Sequence, residues 1–144
     1  MTYKDSDWQR VFRRLQSART QYEEYKALDA KTRLPDLLDD AVTNLWTFGE
    51  YAINVRLESL GQEPPQDHSQ PEKAGVLYLE GNLAKDYSKT LALLEAFRKK
   101  ASHLGYTKER STHYSSAEIL RCLEDMELLR GELEDFIKEW KRRP

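Results

Sequence analysis

Arg98 and His103 are the residues of this chain whose types and spacing could do chemistry, an R-x4-H pair in the stretch Arg98-Lys99-Lys100-Ala101-Ser102-His103. A guanidinium offers several planar donors to a phosphate, and an imidazole near its ordinary pKa exchanges a proton at neutral pH. Together they suffice for a metal-free reaction at a phosphodiester, one residue holding the phosphate and the other moving the proton. Lys99 and Lys100 precede His103 by four and three residues, where their charge should disfavour the imidazolium and favour the neutral base. A plainer role is open to the same residues, because cations at a helix C-terminus are stabilised by the macrodipole by roughly 0.3–1 kcal/mol each.

Helical geometry limits how the pair can work. Five residues at about 100° each turn His103 about 140° away from Arg98, so the two do not meet as an i,i+4 pair. They converge if the helix unwinds before Gly105, or if two chains bring their motifs together across a symmetric interface.

The neighbourhood is basic and aromatic. Lys99, Lys100, Lys108 and Arg110, opposed by Glu109, lie beside Tyr106 and Tyr114. Cations interleaved with rings suit single-stranded RNA, with phosphates on the cations and bases stacked on the rings. An exposed loop has the same composition. His68 and His113 read as solvated loop histidines without metal-ligand spacing. Arg10, Arg13 and Arg14 read as a solvated basic face, and Glu124, Asp125, Glu127, Glu132, Glu134 and Asp135 as the polar side of a helix rather than a metal cage. Trp8, Trp46 and Trp140 sit on apolar stripes, as core or dimer-interface residues would. Cys122, between Arg121 and Leu123, reads as a buried, inert thiol. A glycine-rich phosphate loop, an HExxH helix and a Ser/His/Asp pattern are all absent from the sequence, and neither metal nor cofactor is expected.

Helices must position these residues. Asp5, Ser6 and Asp7 are candidate N-caps for a first helix with Trp8, Val11, Phe12, Leu15, Arg19, Tyr22 and Tyr25 at three- and four-residue steps. Pro35 suits the first turn of a second helix, whose apolar residues from Leu38 to Leu60 cover a wide arc and predict a central place in a bundle. Gly61 to His68 is the clearest loop. Ser69-Gln70-Pro71-Glu72 reads as a capping box opening a short helix through about Leu79, ended by Gly81-Asn82. A further helix from near Asp86 carries Tyr87, Leu91, Leu94, Phe97, Ala101 and Leu104 and stops by Gly105. Ser115-Ser116-Ala117-Glu118 is a second capping box, before a long helix from Ile119 to Trp140. The expected fold is all-α, an up-and-down bundle of four long helices and one short helix, with residues 1–144 forming one domain.

Composition agrees. At 144 residues, 39% hydrophobic and 33% charged, the chain can bury a core, and only 6 Gly and 5 Pro argue against many strands and turns. A net charge of −2 excludes a globally basic nucleic-acid binder while permitting a local basic patch. A single cysteine excludes an internal disulfide and fits a reducing cytosol. With no apolar run near the roughly 18 residues of a membrane span and no apolar core of a secretion signal, the expected location is cytoplasmic.

The order of these features from about Leu37 to Phe136 resembles the HEPN domain family (higher eukaryote and prokaryote nucleotide-binding). The broad helix with Trp46-Thr47-Phe48-Gly49-Glu50-Tyr51-Ala52 is followed by the turn Leu60-Gly61-Gln62-Glu63-Pro64-Pro65. His68 then precedes a short helix and Gly81-Asn82-Leu83 the next. Phe97-Arg98-Lys99-Lys100-Ala101-Ser102-His103 is similar to the family hallmark, an Arg and a His separated by four to six residues. The resemblance implies a helical homodimer with two such motifs facing one cleft. It implies a metal-independent endoribonuclease of a toxin–antitoxin or defence system, paired with a nucleotidyltransferase-like protein, or else a noncatalytic module that binds a nucleotide or partner. Carried over, Arg98 would hold the scissile phosphate and His103 would exchange the 2′-hydroxyl or leaving-group proton, giving a cyclic phosphate and a free hydroxyl. Lys99, Lys100, Tyr106, Lys108 and Arg110 would line the nucleic-acid or nucleotide contact. The chain departs from the family at Lys99, where active members often carry Asn, Asp or His.

Overall fold

A computed structural model describes residues 5–29, 35–63, 69–104 and 115–142; for residues 5–6, 35–36, 100–104 and 140–142 the helix is described without the side chains. All of its regular secondary structure is helical: α1 (Asp5–Ala27), α2 (Pro35–Ser59), α3 (Gln70–Leu79), α4 (Ser88–Leu104) and α5 (Ser116–Arg142). Among the described residues no helix is long and apolar enough to cross a membrane.

The local signals act at the ends. α1 begins at Asp5, ahead of where an Asp7 cap would start it, and Asp7 instead pairs with Arg10 one turn on at 3.3 Å. Pro35 opens α2, where its missing N–H costs nothing. The Ser69 hydroxyl accepts from the Glu72 N–H at 3.3 Å, and the Ser115 hydroxyl accepts from the Glu118 N–H at 3.2 Å, so both serines cap as their spacing predicts. α4 starts two residues after Asp86, whose carboxylate accepts from the Ser88 N–H at 2.9 Å. These Ser88 hydrogen bonds hold the Asp86 carboxyl below the usual range.

α2 is the hub. It packs against each of the other four helices, and Leu38, Ala41, Val42, Leu45, Trp46, Phe48, Ala52, Ile53, Val55 and Leu57 are buried around it. A Cβ at Gly49 would stand 2.6 Å from Leu91 Cδ2 and 3.1 Å from Met126 Sδ, so the glycine is what lets α4 and α5 approach α2 this closely. The other helices each bring one stripe: Trp8, Val11, Leu15, Ala18 and Tyr22 from α1, Ala74 and Leu77 from α3, Leu91, Leu94 and Phe97 from α4, and Ile119, Cys122, Leu123, Met126, Leu129, Leu133 and Ile137 from α5. Trp8 lies against Phe48 and Tyr51 with ring centroids 5.8 and 6.4 Å apart. Trp8 and Trp46 are therefore core residues, as their place on the stripes implies.

Candidate functional site

The last turns of α4 hold the R-x4-H stretch. Phe97 points into the core, which turns the next residue, Arg98, to the surface. Its guanidinium carbon lies 5.1 Å from the ring centroid of Trp46 on α2, within cation–π range. Among the described residues it has no carboxylate partner, so its donors are presented on an aromatic shelf at the surface. Lys99 is exposed and pairs with Glu95 one turn back at 3.4 Å.

α4 continues through Leu104. Backbone positions 98 and 103 thus stay about 140° apart around the helix axis, and unwinding before position 105 is not how the two come together. The side chains of Lys100 and His103, and the whole of Tyr106, Lys108, Arg110, His113 and Gly105, lie outside the described residues, as do His68 and the Trp140 side chain.

A second polar cluster fixes the connection between α3 and α4, and sequence reading assigned it no role. Glu132 on α5 accepts from the Ala84 N–H at 2.6 Å and from the Tyr87 hydroxyl. Asp125, two turns earlier, accepts from Lys85 at 2.5 Å and from the Thr90 hydroxyl. On the other side Arg56 of α2, only 8% exposed, donates through Nε to the Asn82 carbonyl at 2.8 Å and through Nη1 to Ser59 Oγ at 3.1 Å. Its guanidinium also stacks 3.4 Å from the Phe136 ring centroid. Glu127 reaches α1 and receives two hydrogen bonds from Arg19, one from Nε at 3.2 Å. The acidic side of α5 is therefore partly a set of interhelical acceptors, whereas Glu134 pairs with Arg130 along the same helix at 2.9 Å. The only trace of this in the sequence is the spacing of Asp125 and Glu132, seven residues apart beside the apolar stripe.

Neither Tyr87 nor Cys122 is an ionised nucleophile at neutral pH. Burial, then the bond to Glu132, pushes the Tyr87 phenol well above its ordinary value. Burial chiefly, with Asp125 and Glu118 nearby, pushes the Cys122 thiol up to about 12, as an inert interior cysteine requires. Burial also raises Tyr51, with Asp7 and Glu58 adding to it.

Two surface concavities lie away from Arg98. A groove of about 560 Å³ runs between α3 and α4, lined by Pro71, Glu72, Gly75, Val76, Leu79, Ser88, Lys89 and Ala92. Another, of about 500 Å³, has polar walls from α1, including Arg13, Gln16, Thr20 and Gln21, and reaches Leu37. Comparison with known proteins finds no matching family model, no matching curated protein and no matching solved structure.

Proposed function

We propose that this chain is a HEPN-like protein, an up-and-down bundle that cleaves RNA without a metal as a homodimer, using Arg98 and His103. The observation that carries the reading is Arg98 itself. Near the end of α4 its guanidinium is exposed, rests on Trp46, and is not consumed by a carboxylate among the described residues. An arginine whose donors face solvent beside an aromatic shelf can grip a phosphate and neutralise charge developing on it. His103, one turn on in the same helix, would take the 2′-hydroxyl proton or return one to the leaving oxygen. Because α4 stays helical through Leu104, the arginine and histidine that act together come from different chains. Lys99, Lys100, Tyr106, Lys108 and Arg110 would extend the RNA contact. A toxin or defence role beside a nucleotidyltransferase-like partner belongs to the same proposal.

Purified protein incubated with structured and unstructured RNA in the presence of chelator tests it. Cleavage should persist with chelator, leave cyclic-phosphate ends, and fall at least about 100-fold in Arg98→Ala and in His103→Ala. Equal cleavage by all three proteins sinks the proposal. RNA binding without cleavage, weakened by Arg98→Ala, would instead assign a noncatalytic binding module, the reading that Lys99 favours.

A further inference from the structure

We propose that the groove between α3 and α4 is where a second copy of this chain docks, about a two-fold axis running along the groove. The inference stands on surface chemistry and does not depend on RNA being cut.

α3 returns into α4 through the connection Glu80–Tyr87, so the two helices lie side by side, with a Cβ at Gly75 reaching ordinary contact, 3.7 Å, with Ser88 Cβ. The floor of the groove is consequently small and apolar: Pro71, Gly75 and Ala92. Its α3 wall carries Val76, 43% exposed, and Leu79, 84% exposed. These are large aliphatic side chains left in water next to a concavity that could accept them, an arrangement that marks an interaction surface more than scattered exposed residues do.

Charge selects the occupant. Glu72 stands on the α3 wall and Lys89 on the α4 wall, and neither forms an ion pair with another described residue. A two-fold axis along the groove lays each α3 wall over the partner's α4 wall. Glu72 of each copy then meets a lysine and Lys89 of each copy meets a glutamate, while Val76 and Leu79 reach the partner's small-residue floor. The face is self-complementary, as an isologous interface must be. The same axis keeps the two α4 helices parallel, so both Arg98 ends lie at one end of the dimer. That is the arrangement in which an arginine of one chain and a histidine of the other can share a cleft.

Sedimentation velocity or light scattering over a concentration series should give twice the chain mass of 16.9 kDa. Glu72→Lys and Lys89→Glu should each weaken association at least about tenfold, because each sets like charges against each other at both contacts. Mixing the two variants should restore the dimer, since both contacts of the mixed pair then join opposite charges. Leu79→Glu should dissociate it with an unchanged melting temperature, which separates loss of the interface from loss of the fold. A wild type that stays monomeric overturns the proposal and leaves the groove to a helix of another protein. A dimer indifferent to these substitutions, or a mixture that does not recover, overturns it as well. Cleavage scored on the same samples separates the two proposals: a dimer that leaves RNA intact keeps the interface and ends the ribonuclease reading, and cleavage by a monomer ends the interface.

Discussion

Arg56 shows what a buried charge needs in this protein. Its interior position is tolerable because Nε and Nη1 have acceptors, at 2.8 and 3.1 Å, and its flat face has the Phe136 ring. An unpaired charge there would cost several kcal/mol. Arg56→Met keeps most of the stem's packing but strips the Asn82 carbonyl of its donor and removes the cation–π contact. The expected loss is about 2–3 kcal/mol of unfolding free energy, read from urea denaturation. Arg56→Lys should recover only part of it, because an ammonium cannot bridge two acceptors and a ring face as a planar guanidinium does. A lysine variant as stable as the wild type would reduce Arg56 to a point charge. Val55-Arg56-Leu57 has no spacing that separates a buried arginine from a solvated one, so this role was invisible until the Asn82 carbonyl and Phe136 were seen beside it. Arg98 differs: its place at the end of an apolar stripe was readable, and the structure adds the Trp46 ring beneath it.

Elements were legible where their signals are local. The two serine caps, the proline at the start of α2 and the three- to four-residue apolar steps placed the helices because each acts within a turn or two. Gly61 and Gly81 show the same economy at the other end. Each has a positive φ, 74° and 77°, and each is followed by a residue whose N–H bonds back to the last turn: Gln62 to the Leu57 carbonyl at 3.0 Å and Asn82 to the Leu77 carbonyl at 2.8 Å. These are Schellman endings, which require the left-handed conformation. Gly81→Ala therefore costs about 1–2 kcal/mol through backbone strain alone, since the added Cβ meets nothing within 4 Å. Gly131→Ala makes the matching control. It too has open space around it, but inside α5, so it should stabilise by about 1 kcal/mol. Paired thermal melts check both signs; a neutral Gly81→Ala would mean the turn relaxes to another ending. What local signals could not give was pairing between elements. Tyr87 and Glu132 are 45 residues apart, and no periodicity within either helix specifies that the phenol of one seeks the carboxylate of the other.

At the scale of the whole molecule one buried cluster draws on all five helices, and its titratable members set how stability responds to alkali. Cys122 and Tyr87 both sit in that core, and both hold their protons more tightly folded than unfolded. For Cys122 the rise is from 9.0 to about 12, mainly through burial; Tyr87 is raised from 10.0 by burial and by its bond to Glu132. A group whose folded pKa is raised gives its full stabilisation below the unfolded pKa and loses it as pH climbs toward the folded one. Above about pH 9 the unfolded chain releases the thiol proton while the native chain keeps it, so the native state binds more protons and the unfolding free energy falls. At 1.36 kcal/mol per pH unit, the thiol alone accounts for roughly 2–3 kcal/mol by pH 11, with Tyr87 adding to the slope from about pH 10. Urea midpoints taken at pH 7, 9, 10 and 11 should decline steeply over the last two steps. Cys122→Ala should start lower at pH 7, having lost a buried sulfur, yet decline less between pH 9 and 11. If the two proteins lose stability in parallel across that window, the alkaline sensitivity resides elsewhere, and Cys122 is not the buried, proton-bound thiol that its 2% exposure implies.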